Sequence, residues 1–295
     1  MDNSERQSIG TVRTFFLELD RLNLDKPSDE IYYFRGHADL EGYKLIPSIY
    51  RDLDFIENEH RMFREIIMRC PNDFSNNMTA FEKLVKMQHY KLPTRLLDLT
   101  GNPLVALFFA VYKEPKKDGE VLIFKVPKNK IKYYDSDTVS ILSNIAKLNE
   151  DFCIKKIKGG SIEIFNSDDN VKYLLHEIKE DKPYFEPNIE AEDLESVLCV
   201  KPKLDNPRII KQDGAFFLYG IQDEKKNPAI IPDSYKVTTE FDRLIIRKET
   251  KRAISQQLST LGLNRATLFP EIDYVSEYLK EIFMNESDNE FKRTN

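Results

Sequence analysis

The chain has no tryptophan, only three cysteines and only 10 glycines in 295 residues. Cys70, Cys153 and Cys199 lie far apart without a Cys-x-x-Cys pair. That argues against a disulfide framework or a cysteine zinc site and fits a reducing compartment. The longest apolar run, over residues 103–112, is about half of what a membrane crossing needs. The opening MDNSERQSIG lacks the charged-then-apolar layout of a signal peptide, so a cytoplasmic protein with no membrane partner is expected. Neither GxGxxG nor GxxxxGKS/T occurs, which removes the usual Rossmann and phosphate-loop routes to a nucleotide. The absence of GxSxG and HExxH removes the simplest hydrolase and metalloprotease readings. Glu57 and His60 have the Glu-x-x-His spacing of a di-metal helix, but no second copy exists to complete it. No metal is assigned. A net charge of -6 argues against a general electrostatic nucleic-acid binder and leaves room for a local basic groove.

What is present reads as a globular chain, 41% hydrophobic and 32% charged, whose core relies on 19 Phe and 14 Tyr. Residues 11–22 set Phe15, Phe16, Leu19 and Leu22 on one helical face, and the polar stretch 25–29 with Pro27 ends it. Residues 31–36 form an aromatic strand ending in Arg35-Gly36. Residues 54–69 and 81–89 read as amphipathic helices, 94–100 as a buried strand. Asn102 is a natural N-cap and Pro103 suits the first position of an apolar, central helix. Residues 120–126, 196–201 and 215–219 read as strands, the last two flanking a basic loop over 202–214. Helical stretches are expected over 139–148, 171–180, 248–261 and 272–283, with the last ten residues frayed. The class is α+β, a mixed β-sheet core with surrounding helices. The division is an N-terminal helix over 1–26, one domain over 27–284 including the C-terminal helices, and a polar tail over 285–295.

Three constellations carry chemistry. In Tyr33-Phe34-Arg35-Gly36-His37, an arginine at the end of an apolar strand must reach water or receive an anion. Its planar fork suits phosphate or carboxylate, and the glycine allows close backbone approach. In residues 88–100, Gln88, His89, Thr94, Arg95, Asp98 and Thr100 crowd a core strand. Strand alternation puts Thr94, Asp98 and Thr100 on one face and Arg95 on the other, so Arg95 and Asp98 need separate partners. Asp98 between leucines is costly to bury unless paired. The third, residues 206–216, joins Arg208, Lys211 and Gln212 to Gly214 at a strand entry. Each has a structural alternative: an internal arginine, a core polar network including a satisfied His89, and a charged loop.

On these residues the chain resembles the FRG domain proteins of bacteria and phages, named for the motif seen here as Phe34-Arg35-Gly36. Residues 88–98 and 102–110 match the family's longest motif. Arg208-Ile209-Ile210 with Gln212, Gly214 and Phe216 matches the next, and residues 258–272 resemble its closing block. The resemblance runs over residues 31–280. Lys91 stands where the family often has glycine, and Leu99 where it favours an aromatic.

A remoter resemblance is to ADP-ribosyltransferases of the Arg–Ser–Glu type, which implies an ADP-ribosyltransferase-like core and NAD as the substrate. By that resemblance Arg35 holds the phosphates or ribose of NAD and Thr100 braces the nicotinamide pocket. The late glutamate is not clearly filled: Gln212 lies in the right region without the charge, and Glu192 and Glu195 lack a motif. His89 is a further candidate for the dinucleotide or for general base. The implied catalytic set is Arg35, His89, Thr100 and Gln212. The implied NAD-binding set is Arg35, Gly36, Thr94, Arg95, Asp98 and Arg208. The expected function is NAD-dependent ADP-ribosyl transfer by a toxin or phage-defence effector, onto a protein or nucleic-acid acceptor and with an antitoxin as a candidate partner. The alternative is a non-catalytic nucleotide- or RNA-binding module. A Glu facing Arg35 across a cleft separates the two.

Overall fold

The computed structural model describes residues 9–22, 29–237 and 243–291. The polar break expected around Pro27 lies outside the described residues, as does the end of the tail. Helices run over Val12–Arg21 (α1), Leu53–Glu57 (α2), Glu59–Arg69 (α3), Ala80–His89 (α4), Pro103–Val111 (α5), Asp137–Asn144 (α6) and Ile162–Ser167 (α7). They continue over Asp169–Asp181 (α8), Ala191–Leu194 (α9), Pro207–Lys211 (α10), Lys251–Thr260 (α11), Arg265–Leu268 (α12) and Ile272–Phe291 (α13). The strands are Glu30–His37 (β1), Leu96–Thr100 (β2), Gly119–Pro127 (β3), Ile131–Tyr133 (β4), Val197–Lys201 (β5) and Gly214–Tyr219 (β6). Ile221–Gln222 (β7) and Glu224–Pro228 (β8) form a small hairpin, and Leu244–Ile246 is β9.

Seven strands form one mixed sheet in the order β4-β5-β6-β2-β1-β3-β9, antiparallel except between β4 and β5. The mixed α/β class expected from the sequence is present. The sheet is curled. Phe124 of β3 meets Phe217 of β6 edge to face, ring centres 5.2 Å apart, although two strands separate them in the sheet. The concave face is packed with Tyr33, Leu97, Leu99, Phe124, Val126, Cys199 and Phe217. The opposite face is covered twice. α1, α5 and α11 pack on β1, β3 and β9, while α3, α4, α6 and α8 pack on β2, β5 and β6. Strand alternation explains this division, since Phe34 points to α5 and its neighbours Tyr33 and Arg35 to the other face.

Local chemistry accounts for most boundaries. Asn102 caps α5 by accepting from the Leu104 amide, and Pro103 begins it. Thr11 and Thr79 form capping boxes at α1 and α4. The helix expected over 54–69 is broken at Asn58, whose backbone leaves the helical region (φ -103, ψ 10). In α1 the buried face is Val12, Phe15 and Leu19, and Phe16 is exposed. The basic loop over 202–214 contains α10, started by the Asn206 cap and Pro207. α13 continues to Phe291, past the frayed tail expected from residue 286.

Arg95, expected to bind NAD, lies fully buried instead. Its Nε and Nη2 pair with Glu59 at 3.0 and 2.5 Å, and Nη1 donates to the Tyr219 carbonyl at 3.0 Å. Lys225, also buried, reaches Glu59 at 3.2 Å. Burial opposes Glu59's ionisation, but the two cations overcome it and hold its pKa below the ordinary value. Burial takes Lys225 down to about 8, against the pull of Glu59. Thr94 is equally buried: its hydroxyl donates to Gln88 and accepts the Leu96 amide at 3.2 Å. Arg95 therefore ties α3 to β6, and Thr94 ties α4 to β2. Glu59→Gln leaves two buried cations without a counter-charge and should cost about 3–5 kcal/mol in urea unfolding.

Candidate functional site

The β1–β2 seam is where the sheet opens. β1 pairs with β3 along its whole length, yet with β2 through Phe34↔Thr100 alone. Beyond that pair the strands diverge, and Arg35 fills the wedge. Its Nη1 donates to the Asp98 carbonyl at 2.7 Å, an acceptor that a ladder hydrogen bond would otherwise use. Nε donates to His37 Nε2 at 3.0 Å. Nη2 donates to no described residue. Burial lowers the Arg35 pKa, Asp98 opposing it and Arg51 adding to it.

Because His37 Nε2 accepts from arginine, its proton belongs on Nδ1, which lies 3.0 Å from Glu120 Oε1. His37 and Glu120 are cross-strand partners and both are buried. Burial lowers the His37 pKa, so the ring is a neutral relay between guanidinium and carboxylate. Neither residue was assigned a role from sequence. The signal was an acid opening the strand 120–126, which matters only once the β1–β3 register puts it beside His37.

Arg35 lines a cleft of about 360 Å³. Its walls carry Arg51, Lys91, Lys113 and Arg208 as further cations, and Phe109, Tyr112, Phe269 and Tyr274 as aromatics. Asp98 is the single carboxylate lining it among the described residues. Its side chain is 60% exposed, not buried as its leucine neighbours suggested. Gln88 Nε2 donates to Asp98 Oδ1 at 2.8 Å, and Oδ2 lies 3.9 Å from Arg35 Nη1. The separate partners expected for Arg95 and Asp98 are thus Glu59 and Gln88. Thr100 lines the cleft, but its hydroxyl donates to the Gln212 carbonyl at 2.5 Å and accepts the Asn102 amide. Gln212 also lines it, its amide donating to the Leu268 carbonyl at 2.9 Å.

Arg208 stacks on Phe269, guanidinium carbon 4.7 Å from the ring centre, and its Nε is buried without a hydrogen-bond partner. Lys91 has φ +67, the left-handed conformation that glycine adopts freely. This accounts for glycine being common there in the family and shows what lysine adds: its Nζ lies 5.5 Å over Tyr274 at the cleft wall. Leu99, where the family favours an aromatic, is another wall residue.

Two expected contributors serve other ends. Gly36 lines the cleft, and its missing Cβ is what admits α5: a Cβ there would lie 1.9 Å from the Ala106 carbonyl oxygen. His89 does not line this cleft; its Nδ1 accepts from Asn206 at 3.0 Å, and its carbonyl is 3.5 Å from Arg208. Glu195 pairs with Lys158 outside the cleft. No glutamate faces Arg35 across it among the described residues, and no metal-binding group occurs among them. No helix is long and apolar enough to cross a membrane among the described residues.

A curled mixed sheet, split at one seam by an arginine and lined there with cations and aromatic rings, defines a mixed α/β protein with one cationic cleft at that seam. Residues 30–119, which contribute β1, β2 and α5 to the cleft, match the model of the FRG domain, so the chain carries an FRG domain. No curated protein and no solved structure matches the chain.

Burial, then Arg208, lowers the His89 pKa, and burial also lowers those of His37 and His60. As pH falls the unfolded chain takes up these protons first, so stability is retained above about 6.5 and lost below it. Urea unfolding from pH 7 to 5 should show this decline, and His89→Asn should flatten it.

Proposed function

We propose that the cleft binds a nucleotide through its phosphates, with NAD as the first candidate. The observation that carries this is the charge balance: five cationic side chains line the cleft against one carboxylate, and Arg35 keeps Nη2 for an incoming acceptor. Like charges in one cleft repel, and an anionic ligand relieves that repulsion. A guanidinium held at Nε and Nη1 loses little side-chain freedom when phosphate binds. The aromatic walls offer faces for a base or a nicotinamide ring. The volume is within the range of about 300–1,000 Å³ usual for small-molecule sites.

A second reading, ADP-ribosyl transfer, is favoured by Asp98. Breaking the nicotinamide–ribose bond sends its electron pair to the leaving ring and develops positive charge on the ribose. A carboxylate nearby stabilises that charge, and no covalent enzyme intermediate is needed. Gln88 holds Asp98 at the cleft wall, where this carboxylate takes the part that a late glutamate has in the resembled transferases. The acceptor's nucleophile then bonds to the ribose carbon, and its proton passes to water at the open mouth of the cleft while neutral nicotinamide leaves. His89 has no place in this reading, and Thr100 and Gln212 shape the wall through their hydrogen bonds, Thr100 to Asn102 and Gln212 to Leu268. A toxin or defence role, with an antitoxin, belongs to the same reading.

NAD at about 100 times its Kd should add about 2.7 kcal/mol and raise the unfolding temperature by roughly 5–10 °C. Arg35→Ala should abolish the shift. No shift with NAD, alongside one with ADP, sinks NAD and keeps phosphate recognition. Asp98→Asn should keep the NAD shift and lower nicotinamide release about 100-fold or more. Release unchanged in that variant removes the transferase reading.

A further inference from the structure

The cleft does not end at Arg208. A second groove of about 870 Å³ adjoins it, and the two share Lys91, Tyr112, Lys113, Arg208 and Tyr274 as a dividing wall. α4 and α5 both end in a Tyr-Lys pair, Tyr90-Lys91 and Tyr112-Lys113, and all four residues line this groove. Tyr90 is 69% exposed. Facing them are Tyr274 and Lys280 of α13.

The charges sort into two groups. Arg265 pairs with Glu277, and Arg208 stands 4.0 Å from Glu271, so those carboxylates are already countered. Lys91, Lys113 and Lys280 form no ion pair with a described residue, and Asp273 is the remaining acid of the groove. A surplus of cations without carboxylate partners, two of them over tyrosine rings, beside an exposed ring is the pattern that receives single-stranded nucleic acid. Bases stack on aromatic faces, and lysines neutralise successive phosphates. A protein partner would need pockets for aliphatic anchors, and the groove is lined by tyrosine rings and charged side chains with no Leu, Ile, Val, Met or Phe among its described residues.

We propose that this groove binds single-stranded nucleic acid, with a base on Tyr90 and the phosphates along Lys113, Lys91 and Lys280. The binding stands on the groove alone; that the strand is the acceptor for chemistry in the cleft rests on the reading proposed above. A strand there would reach the cleft across the Arg208–Tyr274 wall.

The test is fluorescence anisotropy of the full chain with labelled hexameric oligouridylate and oligothymidylate. Three neutralised phosphates predict an affinity loss of about twentyfold between 50 and 200 mM salt. Tyr90→Ala should weaken binding about tenfold, and Lys280→Ala should weaken it and flatten the salt dependence. Both variants should keep the wild-type unfolding temperature and its shift with NAD. Binding that neither variant changes, or no binding at 50 mM salt, overturns the proposal. Oligonucleotide binding without a shift from either NAD or ADP supports the groove and overturns the cleft reading, whereas an NAD shift without oligonucleotide binding does the reverse.

Discussion

A single side chain, Arg35, holds the β1–β2 seam in the shape that makes a cleft. Two antiparallel strands that diverge after one pair leave carbonyls facing a gap, and a buried carbonyl without a donor is costly. The guanidinium supplies the donor from the side, at the Asp98 carbonyl, and thereby keeps the strands apart. Its own charge must then be tolerated below the surface. His37 accepts at Nε, Glu120 steadies His37, and Asp98 supplies the nearest negative charge. These contacts use Nε and Nη1 and leave Nη2 without a partner among the described residues. The cleft at the seam is thus a product of the device that splits the sheet.

The glycine that follows is fixed by the other face. With α5 packed so closely that no Cβ fits at Gly36, β1 is pinned between a helix and a cleft. α5 is apolar on nearly every side because it lies between the sheet and α11. The Phe-Arg-Gly triplet therefore has three separate jobs: Phe34 fills the helix-side core, Arg35 holds the seam, and Gly36 admits α5. Such a division follows from strand alternation, with one residue in the middle facing opposite to its neighbours.

The elements with strong local signals were legible in the sequence. Asn102-Pro103 announced α5, and the aromatic run before Arg35 announced β1. Elements specified by pairing were not. β4 and β9 are three residues long, too short to show a period, and exist because β5 and β3 offer them an edge. The same limit governs the site. Arg35, Gly36, Asp98, Thr100, Arg208 and Gln212, singled out in the sequence, all line the cleft: Arg35 and Thr100 stand near the ends of apolar strands, Arg208 and Gln212 flank α10, and Asp98 stood out as an acid between leucines. Arg95 has the same local look as Arg35, and its sequence context does not reveal Glu59, 36 residues earlier, which claims it. Tyr112, Phe269 and Tyr274 were given no role in the site from sequence, and only the fold turns their faces toward the cleft.

The scarcity of acid in the cleft bears on what chemistry it can perform. Glycosyl transfer from NAD needs negative charge near the ribose, while phosphate recognition needs positive charge nearby, and the two requirements compete in one small volume. Placing Glu120 behind His37 removes one carboxylate from the cleft while letting it act on Arg35 through the imidazole. Asp98 remains at the wall, its charge spread between Gln88 and Arg35 and open to water on its far side. A carboxylate so exposed gains strength once a ligand excludes that water, because the same charge acts through a lower dielectric. Ligand closure over Asp98 is therefore the step that separates a cleft which only holds a nucleotide from one which cleaves it.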